Sequence, residues 1–334
     1  MPTQSDAPSA LLKPEGASLT PGSARSLLMT VLGELVWPTG QPVWTSALVY
    51  VLGGLGAQEQ AARQAIARAA ASDWMVPERR GREVCWSVGP RMINIIESGA
   101  PRVYSLSDPF SSWDGRWLAV LVTIPQSHRS TRRPLYSGLT WAGLGNPVPG
   151  LWLGPHVERA AEVGRLIDGL GLRLHTISFV GTVDDIGMSQ ADIVAQGWDL
   201  SALHEHYQQV WDAVADLSPR GGDEILFAHV RMIGEWQELP RTDPQLPEAL
   251  LPDWIGRRVA SRIEALRAQW TPAVRQRFAE INAGAGTQVL PEPTGLSDRP
   301  GVSLSLGGVP SLVHGPRRQR PATHAVPLGM SPDG

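Results

Sequence analysis

Apolar positions first settle into a helical rhythm after Ser23. Ala24, Leu27, Leu28, Val31, Leu32 and Leu35 recur at three- and four-residue spacing, which gathers them on one helix face. Ser23 is placed to cap that helix, and WPTG (37–40) to stop it. PVW (42–44) reads as a short extended piece. A second apolar helix, about 45–53, ends in the turn GGLG, and a third covers about 58–71. Two alternating stretches, 74–78 and 84–88, flank RRGR and predict a hairpin, with Val84, Trp86 and Val88 on one strand face. A helical turn or two over 91–98 ends at Gly99. Helix, short strand, helix, helix, hairpin is the order of a winged helix-turn-helix.

The pattern changes after the loop SLSDPFSSWDG. RWLAVLVTI (116–124) is a nearly continuous apolar run of strand length. The basic segment SHRSTRRPLYSGLTWAGLG suits a helix, GLWLGP (150–155) a strand, 156–171 a helix and LHTISFVG (174–181) a strand. This alternation predicts a small ferredoxin-like α+β unit, with two strands beside the first and both helices on one face. Beyond it the periodicity is mainly helical. Leu203, Tyr207, Val210, Val214 and Leu217 line one face of 199–217, a second helix covers 223–236, and 257–281 is a third. Between them, 239–256 is proline-punctuated and partly extended. The expected fold class is therefore α+β and multidomain. Its parts are a winged helix-turn-helix over 23–100, a ferredoxin-like middle domain over 113–186, and a mainly helical C-terminal domain for ligand binding or oligomerisation over 190–282. Residues 1–22 and 283–334 are rich in Gly, Pro and Ser and read as disordered tails.

Composition narrows the possibilities. The 334 residues carry a net charge of -3 and are 42% hydrophobic, which fits a globular chain of two or three domains. A near-neutral body argues against non-specific coating of nucleic acid but leaves room for a local basic reading head. The single cysteine, Cys85, excludes a disulfide framework or a thiolate metal cage, fits a reducing compartment, and reads as packed in its strand. No signal peptide is recognisable, and apolar runs are broken well before the ~20 residues of a membrane span. A cytoplasmic, nucleoid-associated protein without cofactor or metal is expected.

Candidate chemistry concentrates on the third helix and the hairpin. At 100° per residue, Gln60, Arg63, Gln64, Ala67 and Arg68 fall in one arc, and Ala62, Ala65, Ile66 and Ala69 fall opposite. Arg can grip guanine O6 and N7, and Gln adenine N6 and N7, so the outer arc is built like a base-reading face. The hairpin tip adds Arg79, Arg80 and Arg82 around Gly81, suited to phosphates or a minor groove, with Glu78 and Glu83 partly cancelling their charge. The alternative for both elements is an ordinary solvated face and turn.

The order of the three units, carried by RSLLMTVLGEL, VWTSALVYVLGGLG, ARQAIARAA and GREVCWSVGP, then GLGNPVPGLWLGP, then WDLSALHEHY and DPQLPEALLPDW, resembles the PaaX family of bacterial transcriptional regulators. The resemblance covers roughly 23–282. It implies a repressor of an operon for phenylacetate-type aromatic catabolism, with double-stranded operator DNA as partner. It also implies release by an inducer such as phenylacetyl-CoA, and a middle domain similar in fold to small CRISPR-associated nucleases. A homodimer is expected, since a single winged helix buries limited surface on DNA. Under this layout Arg129, Arg132 and Arg133 suit the phosphates of a CoA moiety, though DNA phosphates, a dimer contact or a solvated helix end would use them too. Arg231 and Arg241, near Trp236, suit an acyl-CoA or aromatic acid, with ordinary packing as the alternative.

Catalytic signals are sparse. His204 and His206 are two apart on a helix and point to different faces. G-x-S-x-G, P-loop and dinucleotide motifs are missing. The first strand of the middle unit ends VTIPQSH, without the carboxylate of the nucleases that unit resembles, and Asp184 and Asp185 read as a solvated turn. The expectation is a regulator and not an enzyme. The competing reading is a CoA-thioester-handling enzyme or sensor with a vestigial winged helix.

Overall fold

The computed structural model describes residues 22–81, 83–104, 113–184 and 186–285. Both expected tails fall almost wholly outside this range, as do Arg82 and Asp185.

Helix α1 (Ala24–Val31) starts where the sequence places it, with the Ser23 hydroxyl accepting from the Ser26 N–H. It runs on through a π-helical turn (Leu32–Val36) and a 3-10 turn (Trp37–Thr39), and Gly40 ends it at φ 61. Strand β1 (Val43–Trp44), α2 (Thr45–Gly54) and α3 (Glu59–Ala71) follow, then the hairpin strands β2 (Met75–Arg80) and β3 (Glu83–Val88). These strands form an antiparallel sheet in the order β1-β3-β2, with Trp86 opposite both Val43 and Pro77. Helix α4 (Pro90–Tyr104) is longer than its pattern suggested and passes through Gly99 without stopping, since a lone glycine costs a helix only ~1 kcal/mol.

The middle unit holds β4 (Trp117–Val122), α5 (Arg132–Trp141), β5 (Gly145–Val148), β6 (Leu151–Gly154), α6 (Ala160–Gly169) and β7 (Thr176–Gly181). Its antiparallel sheet has the order β5-β6-β4-β7. Two strands flank the first, as the pattern required. Leu118, Val120 and Val122 share one buried cluster with Leu135 and Leu139 of α5 and Leu166 of α6, so both helices cover the same sheet face. Strand β5 was not foreseen, because Gly-Asn-Pro carries little strand signal. Helix α7 (Gln190–Gly197) was not foreseen either. It packs across the opposite face against β5, and Ile193 and Val194 meet Trp117, Ala119 and Leu153 there.

The remaining helices are α8 (Leu200–Val214), α9 (Gly222–Trp236), the short α10 (Leu239–Thr242) and α11 (Ile255–Ala285). The last of these continues past the expected end at 281. Their apolar faces join those of α1, α2 and α3 in one buried cluster, where Leu28, Leu48 and Ala65 share a core with Phe227, Val259 and Trp270. The first and last thirds of the described chain are thus packed together. Polar clasps reinforce this joint: Tyr50 donates to Asp223 at 2.6 Å, and the Trp44 N–H to Asn282 Oδ1 at 3.0 Å. Among the described residues no helix is long and apolar enough to cross a membrane.

Candidate nucleic-acid interface

The α2–α3 corner is built by backbone hydrogen bonds. Ala57 N–H reaches back to Leu52 C=O at 2.9 Å, and Gly56 N–H to Gly53 C=O at 2.9 Å, the pairing of a Schellman helix end. Gly56 sits at φ 94, a conformation that disfavours any side chain. Helix α3 then packs on α1 and α2. Its division into two faces is the one the wheel requires. Ala62, Ala65, Ile66 and Ala69 are buried, while Gln60, Arg63, Gln64, Ala67 and Arg68 are exposed. The small buried residues let α3 lie close to its neighbours. The outer side is a shallow depression lined by Glu59, Gln60, Arg63, Gln64 and Ala67.

Arg63 is held in place by Glu59, one turn earlier, with Nε donating to Oε1 at 2.8 Å. Both side chains are more than half exposed, so the pair is worth only ~0.3–0.5 kcal/mol and exchanges readily for another acceptor. On the hairpin, Arg80 forks onto Glu78 through Nε–Oε1 at 3.1 Å and Nη2–Oε2 at 3.3 Å. Arg79 is exposed on the alternate face of β2. Gly81 takes φ 66 at the tip. Thr45 fastens the hairpin to α2, donating to Val84 C=O at 3.0 Å and accepting from Trp86 Nε1 at 2.8 Å. Cys85 is buried, and that burial pushes its thiol pKa up, as for a packed and unreactive cysteine.

The residues expected around an effector divide into two places. Arg129 lies in a 3-10 segment (Gln126–Thr131) and Arg132 and Arg133 open α5, all three exposed. The Arg132 guanidinium lies 5.9 Å from the Tyr136 ring, which meets Trp152 edge-on at 4.9 Å. Trp236 is in the shared core at 4% exposure, and Arg231 donates to Leu55 C=O at 3.1 Å. These two are structural partners of the first unit. Arg241 lies in α10, and its side chain is outside the described set.

Asp243 and Gln245 open the stretch DPQLPEALLPDW and are sites for which the sequence alone predicts no role. Asp243 is 1% exposed and gathers three donors: Tyr207 Oη at 2.7 Å, Trp254 Nε1 at 3.1 Å and its neighbour Gln245 N–H. Gln245 Oε1 accepts from Arg159 of the middle unit at 2.6 Å, while the buried His156 ring lies 3.1 Å from the Pro244 carbonyl. Burial lowers the His156 pKa, against the pull of Glu158, and so favours the neutral ring. The stretch therefore fastens the middle unit to α8 and α11. Buried Asp and Gln inside a proline-rich motif were the available signal, since such groups are retained only where partners satisfy them.

Family models match in the same order as the structural units. Residues 23–91 match the PaaX-like protein model, 111–193 the PaaX protein central Cas2-like domain, and 194–280 the PaaX-like protein C-terminal domain. The chain belongs to the PaaX family. A curated relative, the transcriptional repressor PaaX of Escherichia coli (strain K12), is 27% identical over 248 residues, which span 71% of this chain and 77% of that protein. Among solved structures, an uncharacterized Mycobacterium tuberculosis protein superposes with a TM-score of 0.56 at 20% identity. That match covers 78% of this chain and 99% of the other, and is a likeness of fold.

Proposed function

We propose that this PaaX-family chain is a ligand-responsive transcriptional repressor that reads operator DNA with α3. The observation that carries the reading is the exposed Gln60–Arg63–Gln64–Arg68 face, on a helix that follows α2 through a tight turn and is flanked by the Arg-tipped β2–β3 hairpin. We read residues 23–100 as a winged helix, with α3 entering the major groove and Arg79, Arg80 and Arg82 on the backbone. We read 113–186 as ferredoxin-like, a reading supported by the β-α-β-β-α-β order and the β5-β6-β4-β7 sheet. The name of the Escherichia coli relative, a repressor, supports a regulator over an enzyme.

Two partners complete the proposal. One is a second copy of the chain, docking on the outer edge of the middle sheet. Among the described residues strand β7 has no neighbour on one side, and Ile177, Phe179 and Val180 expose 66%, 58% and 44% of their surface beside Leu121 at 43%. An unpaired apolar edge of this kind favours strand pairing or burial. The other partner is an aromatic acyl-CoA or acid that lowers DNA affinity. Arg129, Arg132 and Arg133 with Tyr136 offer it cations and a flat ring. The burial of Trp236 and the bond from Arg231 to Leu55 C=O support leaving those two outside that site. Mobility-shift titration of the full chain with the duplex upstream of its own coding sequence tests the reading. A retarded band that a scrambled duplex fails to compete supports it. Equal competition by the scrambled duplex contradicts it and favours the thioester-handling alternative.

A further inference from the structure

Helix α9 places two side chains under the α2–α3 corner. Phe227 and Arg231 are four residues apart and therefore stand on one helix face. The Phe227 ring is fully buried against Gly54, the last residue of α2, where an added Cβ would lie 2.0 Å from the ring tip. Arg231, half-buried one turn later, reaches the next residue with Nη2 and donates to Leu55 C=O at 3.1 Å. Leu55 is the C-cap of α2, a position whose carbonyl has no partner within the helix. The same guanidinium passes 3.9 Å from where a side chain on Gly56 would begin. The corner that aims α3 is therefore seated on α9, by an aromatic ring under its last helical residue and a cation on its cap carbonyl.

We infer that Arg231, with Phe227, is a positioning residue for DNA reading: it fixes the angle between α2 and α3 and so the register of the outer face of α3, without touching DNA itself. The inference rests on the reading of α3 as the DNA-contacting helix. Its physical basis is the steep dependence of base readout on alignment. Paired Arg–guanine and Gln–adenine contacts must form together, whereas phosphate contacts tolerate displacement. A loosened corner should therefore cost specific binding and spare non-specific binding. It also gives the C-terminal helices a direct mechanical hold on the reading head, since any shift of α9 reaches Leu55 through one side chain.

The test begins by selecting a cognate duplex from a random library with the full wild-type chain. Affinities for that duplex and a scrambled one are then compared for Arg231→Ala, Arg231→Lys and Arg63→Ala at several salt concentrations. Arg231→Ala should weaken cognate binding about ten-fold, the scale of one charged hydrogen bond, and leave scrambled binding and the salt slope unchanged. Arg231→Lys, which retains a donor on a flexible stem, should restore part of the loss with the melting temperature of the wild type. Hydrogen exchange of the Gly56 and Ala57 amides should quicken in both Arg231 variants. If Arg63→Ala loses selectivity while both Arg231 variants keep it, Arg231 is not a positioning residue, though the DNA-reading assignment stands. Equal loss on cognate and scrambled duplexes in Arg231→Lys would make it a phosphate contact or a fold support, and would also overturn the inference. A wild-type chain that enriches no sequence would overturn the DNA reading itself.

Discussion

Arg267 of α11 grips Glu34, on the π turn after α1, through two hydrogen bonds: Nε to Oε2 at 3.0 Å and Nη2 to Oε1 at 3.2 Å. The Glu34 side chain is 6% exposed, and His229 Nε2 lies 3.5 Å from the same carboxylate. Removing the cation of a buried ion pair costs about 3–5 kcal/mol. Arg267→Ala should therefore destabilise the chain by roughly 3 kcal/mol. The double variant Glu34→Leu, Arg267→Met should recover most of that loss, because it buries no charge. Urea denaturation reads both values. A double variant no more stable than Arg267→Ala would show that the pair itself, and not the stranded charge, is what matters.

Glu235 lies in α9 beside Glu238 and Arg231. Burial, reinforced by Glu238 and opposed by Arg231, raises its pKa to about 7. A carboxyl whose pKa is raised on folding favours the folded state while protonated. That contribution is complete below the unfolded value of 4.5 and is lost as pH rises through about 7. Glu235→Gln should therefore gain stability over the wild type at pH 8 and lose that advantage at pH 4. Urea midpoints at the two pH values check this, and an equal difference at both would contradict it.

The Glu78–Arg80 fork predicts the opposite of a loss-of-function scan. Glu78 occupies the guanidinium that the hairpin would offer to a phosphate. Glu78→Gln should tighten binding to any duplex and steepen the log–log salt slope by about one, the increment for one added phosphate contact. Arg80→Ala added to Glu78→Gln should take that increment away again and return the slope to the wild-type value. Fluorescence anisotropy across a salt series measures both slopes.

Phe179→Asp places a charge on the exposed edge strand β7, opposite Ala119 of β4. The side chain is already 58% exposed, so folding should be little affected. Sedimentation at micromolar concentration should show a dimer for the wild type and a monomer for the variant. A variant that sediments as the wild type does would move the interface elsewhere.

How far the sequence discloses these features depends on what each residue needs. The two faces of α3 were legible because small apolar residues and Arg or Gln alternate there at helical spacing, and no distant partner is needed to sort them. The first strand of the middle unit was legible from its near-continuous apolar run, RWLAVLVTI. Strand β5 was hidden, since Gly145 is there for close approach: a Cβ on it would meet the Trp198 ring at 2.6 Å. Helix α7 had a readable start, as Ser189 and Asp192 form a capping box, but its eight residues give little periodicity. In sequence Arg231 and Trp236 suit either an effector site or ordinary packing, and their nearness does not decide between the two. Five residues apart on a helix they face different ways, and Leu55, the partner of Arg231, is 176 positions away. Asp243 posed the same difficulty, with Tyr207 36 positions off and Trp254 eleven.

The most direct measurement is the ratio of dissociation constants for a selected cognate duplex and its scrambled counterpart, taken for the wild type and for Arg63→Ala, Arg68→Ala at one salt concentration. Sequence-specific reading by α3 requires a wild-type ratio of about 10³ or more. Each lost guanine contact should lower the ratio by about 5- to 150-fold, with binding to the scrambled duplex much less affected. A wild-type ratio near one, or a double variant that keeps the full ratio, would contradict the assignment of α3 as the reading helix.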